Sequence, residues 1–98
     1  MPDHTMLDET WALDPAVALR PEPFGALAYH FGNRKLIFLK QPALVAVVRA
    51  LGSGRVVRDA LVEAEVPEAA RPAYVAALAE LAHSGLLLRV EDGEGAAA

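Results

Sequence analysis

The chain has 98 residues, 54% of them hydrophobic, a formal net charge of −4 and no cysteine. That length fits one domain with a modest core. It has no means of forming disulfides or cysteine-ligated metal sites, and no apolar run approaches the roughly 20 residues of a membrane-spanning helix.

The charge is unevenly placed. Residues 1–14 carry four acids and no base, residues 91–98 carry three acids and no base, and the segment between holds nine bases against six acids. The division expected is a flexible acidic arm over 1–14, one domain over 15–90 and a disordered tail over 91–98. Trp11 stands out in the arm, because so large an apolar surface favours docking. The first residues, "MPDHTMLDETW", lack a basic segment followed by an apolar one, so no secretory signal is expected. With no cysteine to oxidise, a cytoplasmic setting is expected.

"VALR" at 17–20 is a strand candidate, broken by "RPEP" at 20–23, where each proline removes a donor and restricts its predecessor. A hairpin follows. With Gly32-Asn33 as a two-residue turn, Phe31 pairs with Arg34, Tyr29 with Leu36, Ala28 with Ile37, Leu27 with Phe38 and Ala26 with Leu39. One face then holds Leu27, Tyr29, Phe31, Leu36 and Phe38. The other holds Phe24, Ala26, Ala28, His30, Ile37 and Leu39. Both faces are apolar, which a small sheet covered on one side does not need.

From Pro42 the period changes from two to about 3.6. "PALVAVVRAL" predicts a helix with Leu44, Val47, Val48 and Leu51 inward, ended by "GSG". "RVVRDALVEA" predicts a second helix. The third and longest starts near Pro72, carries Tyr74, Leu78, Leu81 and Ala82 on one stripe with Val75 beside it, and ends at Gly85. "LLLRV" at 86–90 predicts a short strand against the sheet. A small sheet followed by three helices is α+β, with a winged helix-turn-helix outline.

No catalytic constellation assembles. His4, His30 and His83 are far apart in sequence, with His30 expected as a ring at the sheet edge. "GSGR" lacks the continuation of a phosphate loop. Ser53 and Ser84 stand beside glycines at helix ends, where turn or capping roles explain them, and Glu63, Glu65 and Glu68 read as a solvated face. No enzyme activity, cofactor or metal is expected. A small winged-helix DNA-binding regulator is the alternative suggested by the helical outline, yet the third helix offers Arg71 and alanines, with Glu68 and Glu80 against it and no Asn, Gln or Lys. Nucleic acid is therefore not the expected partner, nor is a membrane. "KLIFLK" at 35–40, apolar with a lysine at each end, suits an exposed strand edge that accepts a peptide strand.

"RPEPFGALAYHF" with "RKLIFL", followed by "ALVAVVRAL" and "HSGLL", resembles the mycofactocin-system peptide chaperones, a PqqD-like family of recognition elements for ribosomally made, modified peptides. The likeness covers about Trp11 to Val90. It implies a winged helix-turn-helix-like fold with a three-stranded antiparallel sheet before three helices, and no catalysis. It implies two partners, a precursor peptide and the radical S-adenosylmethionine maturase to which that peptide is presented. By this resemblance the peptide adds to the strand Lys35–Lys40 (Lys35, Leu36, Ile37, Phe38, Leu39, Lys40). Tyr74, Val75, Leu78 and Ala82 form an opposite wall, and Arg34, Lys35 and Arg71 attract an acidic leader. A free edge of this kind also allows a homodimer through the same strand.

Overall fold

A computed structural model describes residues 6–90. The start of the expected arm and the expected tail at 91–98 lie outside the described residues. The elements are β1 (Thr10–Leu13), β2 (Val17–Glu22), β3 (Gly25–His30), β4 (Leu36–Leu39), α1 (Pro42–Leu51), β5 (Arg55–Val56), α2 (Val57–Glu63), a 3-10 turn (Glu68–Ala70), α3 (Arg71–His83) and β6 (Leu87–Val90). They form two three-stranded antiparallel sheets, ordered β2-β3-β4 and β5-β1-β6.

The second sheet corrects the single-sheet expectation. Thr10–Leu13, placed by sequence in the acidic arm, is its central strand, with Thr10 opposite both Val56 and Val90. "LLLRV" does form a strand, but beside β1 and not beside the hairpin. Trp11 docks as expected. It is half-buried on β1, packs against the core, and its Nε1 donates to Glu9 Oε1 at 2.9 Å.

The hairpin register is the one the alternation predicts, with Tyr29 opposite Leu36, Ala28 opposite Ile37, Leu27 opposite Phe38 and Ala26 opposite Leu39. Its turn differs. The loop spans four residues, with the His30 amide donating to Lys35 O, the Arg34 amide donating to His30 O, and Arg34 in the left-handed region at φ 63°. Gly32 is not among the residues with positive φ. It stands there because a Cβ would lie 2.8 Å from the His30 ring. Phe24 also changes sides. Gly25, at φ 147°, sits so close to the Leu39 carbonyl that a Cβ would be 2.1 Å from its oxygen. The chain turns there, and Phe24 stacks on Phe38 across 5.7 Å between ring centroids.

The inner face of β2-β3-β4 packs on α1. Ala26 and Ala28 are fully buried, and their small side chains let the helix approach closely; α1 returns Leu44, Val45, Val47, Val48 and Leu51, all buried. Val57, Ala60 and Leu61 of α2, and Val75, Leu78 and Leu81 of α3, complete the core with Leu86 and Leu87.

Two helices end in the same way. After α3, Gly85 is left-handed, its amide donates to Ala82 O, and the Leu86 amide donates to Leu81 O. After α2, Glu65 takes the glycine's place at φ 60°, with the Glu65 amide donating to Val62 O and the Val66 amide to Leu61 O. The next residue is buried in each case, so the turn returns an apolar side chain to the core. A side chain at a left-handed position carries a steric cost. Glu65→Gly is therefore expected to raise stability by about 0.5–1 kcal/mol, read as a higher urea midpoint with unchanged slope. Ala28→Leu is expected to lower stability by about 1–3 kcal/mol in the same assay, since α1 leaves no room for it.

Candidate functional site: the β4 edge

Hydrogen-bonding directions in β2-β3-β4 follow from two loop contacts. The His30 amide reaches Lys35 O and the Phe31 amide reaches Ala16 O. In an antiparallel ladder, bonded and non-bonded pairs alternate. Ala26, Ala28 and His30 therefore bond toward β4, and Gly25, Leu27, Tyr29 and Phe31 toward β2. On β4, Ile37 and Leu39 spend their main-chain groups on β3. Those of Leu36, Phe38 and Lys40 point away from the sheet.

The two edges of this sheet are not equivalent. On the outer side of β2, Pro21 has no amide to offer and the Val17 amide donates to Asp14 O. A proline and an internal bond blunt an edge. The β4 edge has neither device, only the exposed Lys35 and Lys40 at its ends. The side chains of the two outward-bonding residues are also open, with Leu36 53% and Phe38 55% exposed. Around them lies an apolar outer face. Phe31 is 64% exposed and meets Tyr29 edge-to-face at 4.9 Å between centroids, while Ala18, Arg20, Leu27, Tyr29, Phe31 and Leu36 line a shallow depression.

The remaining residues singled out by sequence divide sharply. Leu39 is 2% exposed, Val75 4% and Leu78 0%. They are core, and a bound chain would meet them only through their neighbours. Ile37, Tyr74 and Ala82 are half-buried against that core. Helix α3 packs along β6, and a hydrogen bond ties its end to the hairpin, from Asn33 Nδ2 to Ser84 O at 3.3 Å. Arg34 and Lys35 stand at this end, exposed. Arg71 sits at the other end of α3, roughly 18 Å along the axis at 1.5 Å per residue, and its Nε donates to Val66 O at 3.5 Å. The three cations expected to act together are thus separated.

His30 departs from its expected place at the sheet edge. It is 8% exposed on the inner face and is engaged by Asp14, Gly32 and Asn33. The signal in the sequence was its alternation with Ala26 and Ala28. The blunting role of Pro21 was likewise open to reading once the register was set. Arg58 pairs with Asp8 at 2.6 Å, and this hydrogen bond, then the attraction of the charge, pushes the guanidinium pKa up. The group is protonated with or without that contact, so no pH dependence follows near neutrality. Among the described residues no group of three or more His, Asp or Glu side chains is placed to hold a metal ion, and no helix is long and apolar enough to cross a membrane.

Comparison with known proteins supplies the family. The model of the peptide chaperone MftB family matches residues 10–88. The peptide chaperone MftB of Mycobacterium ulcerans is 49% identical over 84 residues, covering 86% of this chain and 77% of the relative. That of Mycobacterium tuberculosis is 48% identical over 81 residues, covering 83% and 74%. That of Mycolicibacterium smegmatis is 47% identical over 81 residues, covering 83% and 79%. No solved structure gives a significant match. The matched span runs from the central strand β1 through both sheets and all three helices, and on this ground the chain belongs to the peptide chaperone MftB family.

Proposed function

We propose that this chain is a non-catalytic chaperone that takes the ribosomally made mycofactocin precursor peptide as an added strand on β4 and presents it, in the cytoplasm, to a radical S-adenosylmethionine maturase. One observation carries the reading: the unblunted β4 edge, where Leu36 and Phe38 offer both free main-chain groups and open apolar side chains. Main-chain bonds supply affinity in such additions, and pockets beside the strand supply selectivity. The sheet with its following helices is then the winged, PqqD-like recognition element that the sequence resembles. Leu36 and Phe38 contact the peptide directly, with Lys40 continuing the edge. Tyr74 and Ala82, half-buried on α3, are the α3 residues this reading offers to the peptide, while Ile37, Leu39, Val75 and Leu78 support it from the core side. Arg34 and Lys35 favour acidic residues of the leader at the hairpin end, and Arg71 acts separately at the far end of α3.

A second copy of the chain competes for the same edge. With Leu36, Phe38 and Lys40 bonding outward, two β4 strands pair antiparallel with Phe38 opposite Phe38 and Leu36 opposite Lys40. That pairing brings Lys35 and Lys40 of both copies to one seam, with no acid among residues 34–41 to offset them, so an acidic peptide has the advantage over a homodimer through β4. The DNA-regulator reading gains little from the exposed face of α3, which presents Pro72, Ala73, Ala76, Ala79, Glu80 and His83 and no Lys or Arg.

Two variants test the mode of binding. Phe38→Ala is expected to weaken the precursor peptide about tenfold, equivalent to about 1.4 kcal/mol. Phe38→Pro also removes the outward amide while sparing the ladder to β3, and is expected to weaken binding further, to at least a hundredfold. Calorimetric titration of folded variants reads both. Equal affinity of the two variants would place the peptide elsewhere than on the strand edge. In the same series, Lys35→Glu is expected to weaken binding severalfold at low salt and less at high salt.

A further inference from the structure

We infer that His30 is the positioning residue of the binding edge, held as the neutral imidazole with its proton on Nε2. This rests on the strand-addition reading, which it extends to a residue that never touches the peptide. The ring is the one buried polar or charged side chain among the described residues. Its Nδ1 accepts from the Gly32 amide at 2.9 Å and the Asn33 amide at 3.2 Å. A ring nitrogen accepts only through its lone pair, so Nδ1 carries no proton, and the other nitrogen of a neutral imidazole carries it. That Nε2 faces Asp14 Oδ2 at 3.2 Å and donates to it.

Asp14 is itself fixed. Its Oδ1 accepts from the Ala16 amide at 2.8 Å, and its own amide donates to Leu86 O at 2.9 Å, which ties it to the segment between α3 and β6. The ring therefore lies between the β1–β2 link and the hairpin tip, and the two amide bonds at its Nδ1 set the tip. At the tip, the exposed Asn33 uses both ends of its side chain: Oδ1 accepts from the Lys35 amide at 2.9 Å and Nδ2 donates to Ser84 O. With Lys35 O held by the His30 amide, Lys35 is fixed from both of its main-chain groups. Lys35 precedes the first residue of β4, so the aim of the outward groups at Leu36 and Phe38 follows from the ring. Gly32 completes the device, since a side chain there would collide with the imidazole.

The discriminating pair of variants is His30→Asn and His30→Gln. An Asn Oδ1 stands as far along the side chain as the imidazole Nδ1 and can accept the two tip amides. A Gln carbonyl or amide lies one bond further and cannot. In protein shown to be folded by its amide spectrum, His30→Asn is expected to bind the precursor peptide within threefold of the wild type and His30→Gln at least tenfold more weakly. Nitrogen spectra of the wild-type ring are expected to show Nδ1 unprotonated and Nε2 protonated, with slow exchange of the Gly32 and Asn33 amides that is kept in the Asn variant and lost in the Gln variant. Equal affinity in the two variants, or a proton on Nδ1, overturns the assignment. Absence of peptide binding by wild-type protein that shows the expected ring state would instead refute strand addition, and would take the positioning role with it.

Discussion

Helix α1 is the wall that both sheets share. It touches β3 and β4 on one side, β1 and β5 on another and α2 on a third. Few ten-residue helices could serve so many neighbours, and this one does so because five of its residues are buried and the sheet facing it is lined with alanine. A bulkier β3 would push α1 outward and open the core. Close approach at Ala26 and Ala28 is thus the constraint on which the relative position of hairpin and helices depends. With the inner face committed to α1, whatever the hairpin binds must come to its edge or its outer face.

That division between face and edge runs through the candidate site. On β4 the side chains alternate between core and solvent, and the main-chain groups alternate between β3 and the open edge, in the same step. Ile37 and Leu39 therefore serve the fold twice over, by packing and by pairing. Leu36 and Phe38 stay outside the ladder to β3 and more than half exposed, with Phe38 stacking on Phe24. A strand of four residues thus divides its positions between those that build the core and the ladder and those that stay open. The blunted β2 edge leaves the sheet only one direction in which to grow.

Much of the hairpin was legible in the sequence, because period-two alternation and a turn signal fix register locally. The turn type was not, since Gly32-Asn33 reads as a primed turn while both amides in fact bond to a histidine ring earlier in the hairpin. Helix α1 and the inward side of α3 were legible for the usual reason, a 3.6-residue apolar period. The sheet of β1, β5 and β6 was not. Its central strand is four residues long in an acidic stretch, one neighbour has only two residues, and the other lies nearly eighty residues away. Pairing at that distance leaves no periodic trace near either partner. For the candidate site, "KLIFLK" marked a strand whose outward residues are exposed, but a stripe such as Tyr74, Leu78, Leu81 looks the same whether it lines a groove or fills a core. Only burial separates the two, and it assigns Val75 and Leu78 to the core.

The placement of β1 between β5 and β6 also bears on how the molecule comes into being. Every pairing in β2-β3-β4 joins residues close in sequence, so that hairpin can form soon after Leu39 leaves the ribosome. The other sheet joins Thr10 to Val90 and must wait for nearly the whole chain. Closing a longer loop costs more entropy, by about 0.6 kcal/mol for each doubling, and contacts between distant residues slow folding. Until Leu87–Val90 arrives, β1 has an unpaired side and the core an uncovered flank, while the β4 edge already stands open. The nascent chain thus offers two exposed strand edges where the finished molecule keeps one open, and the last few residues of the domain end that vulnerable interval.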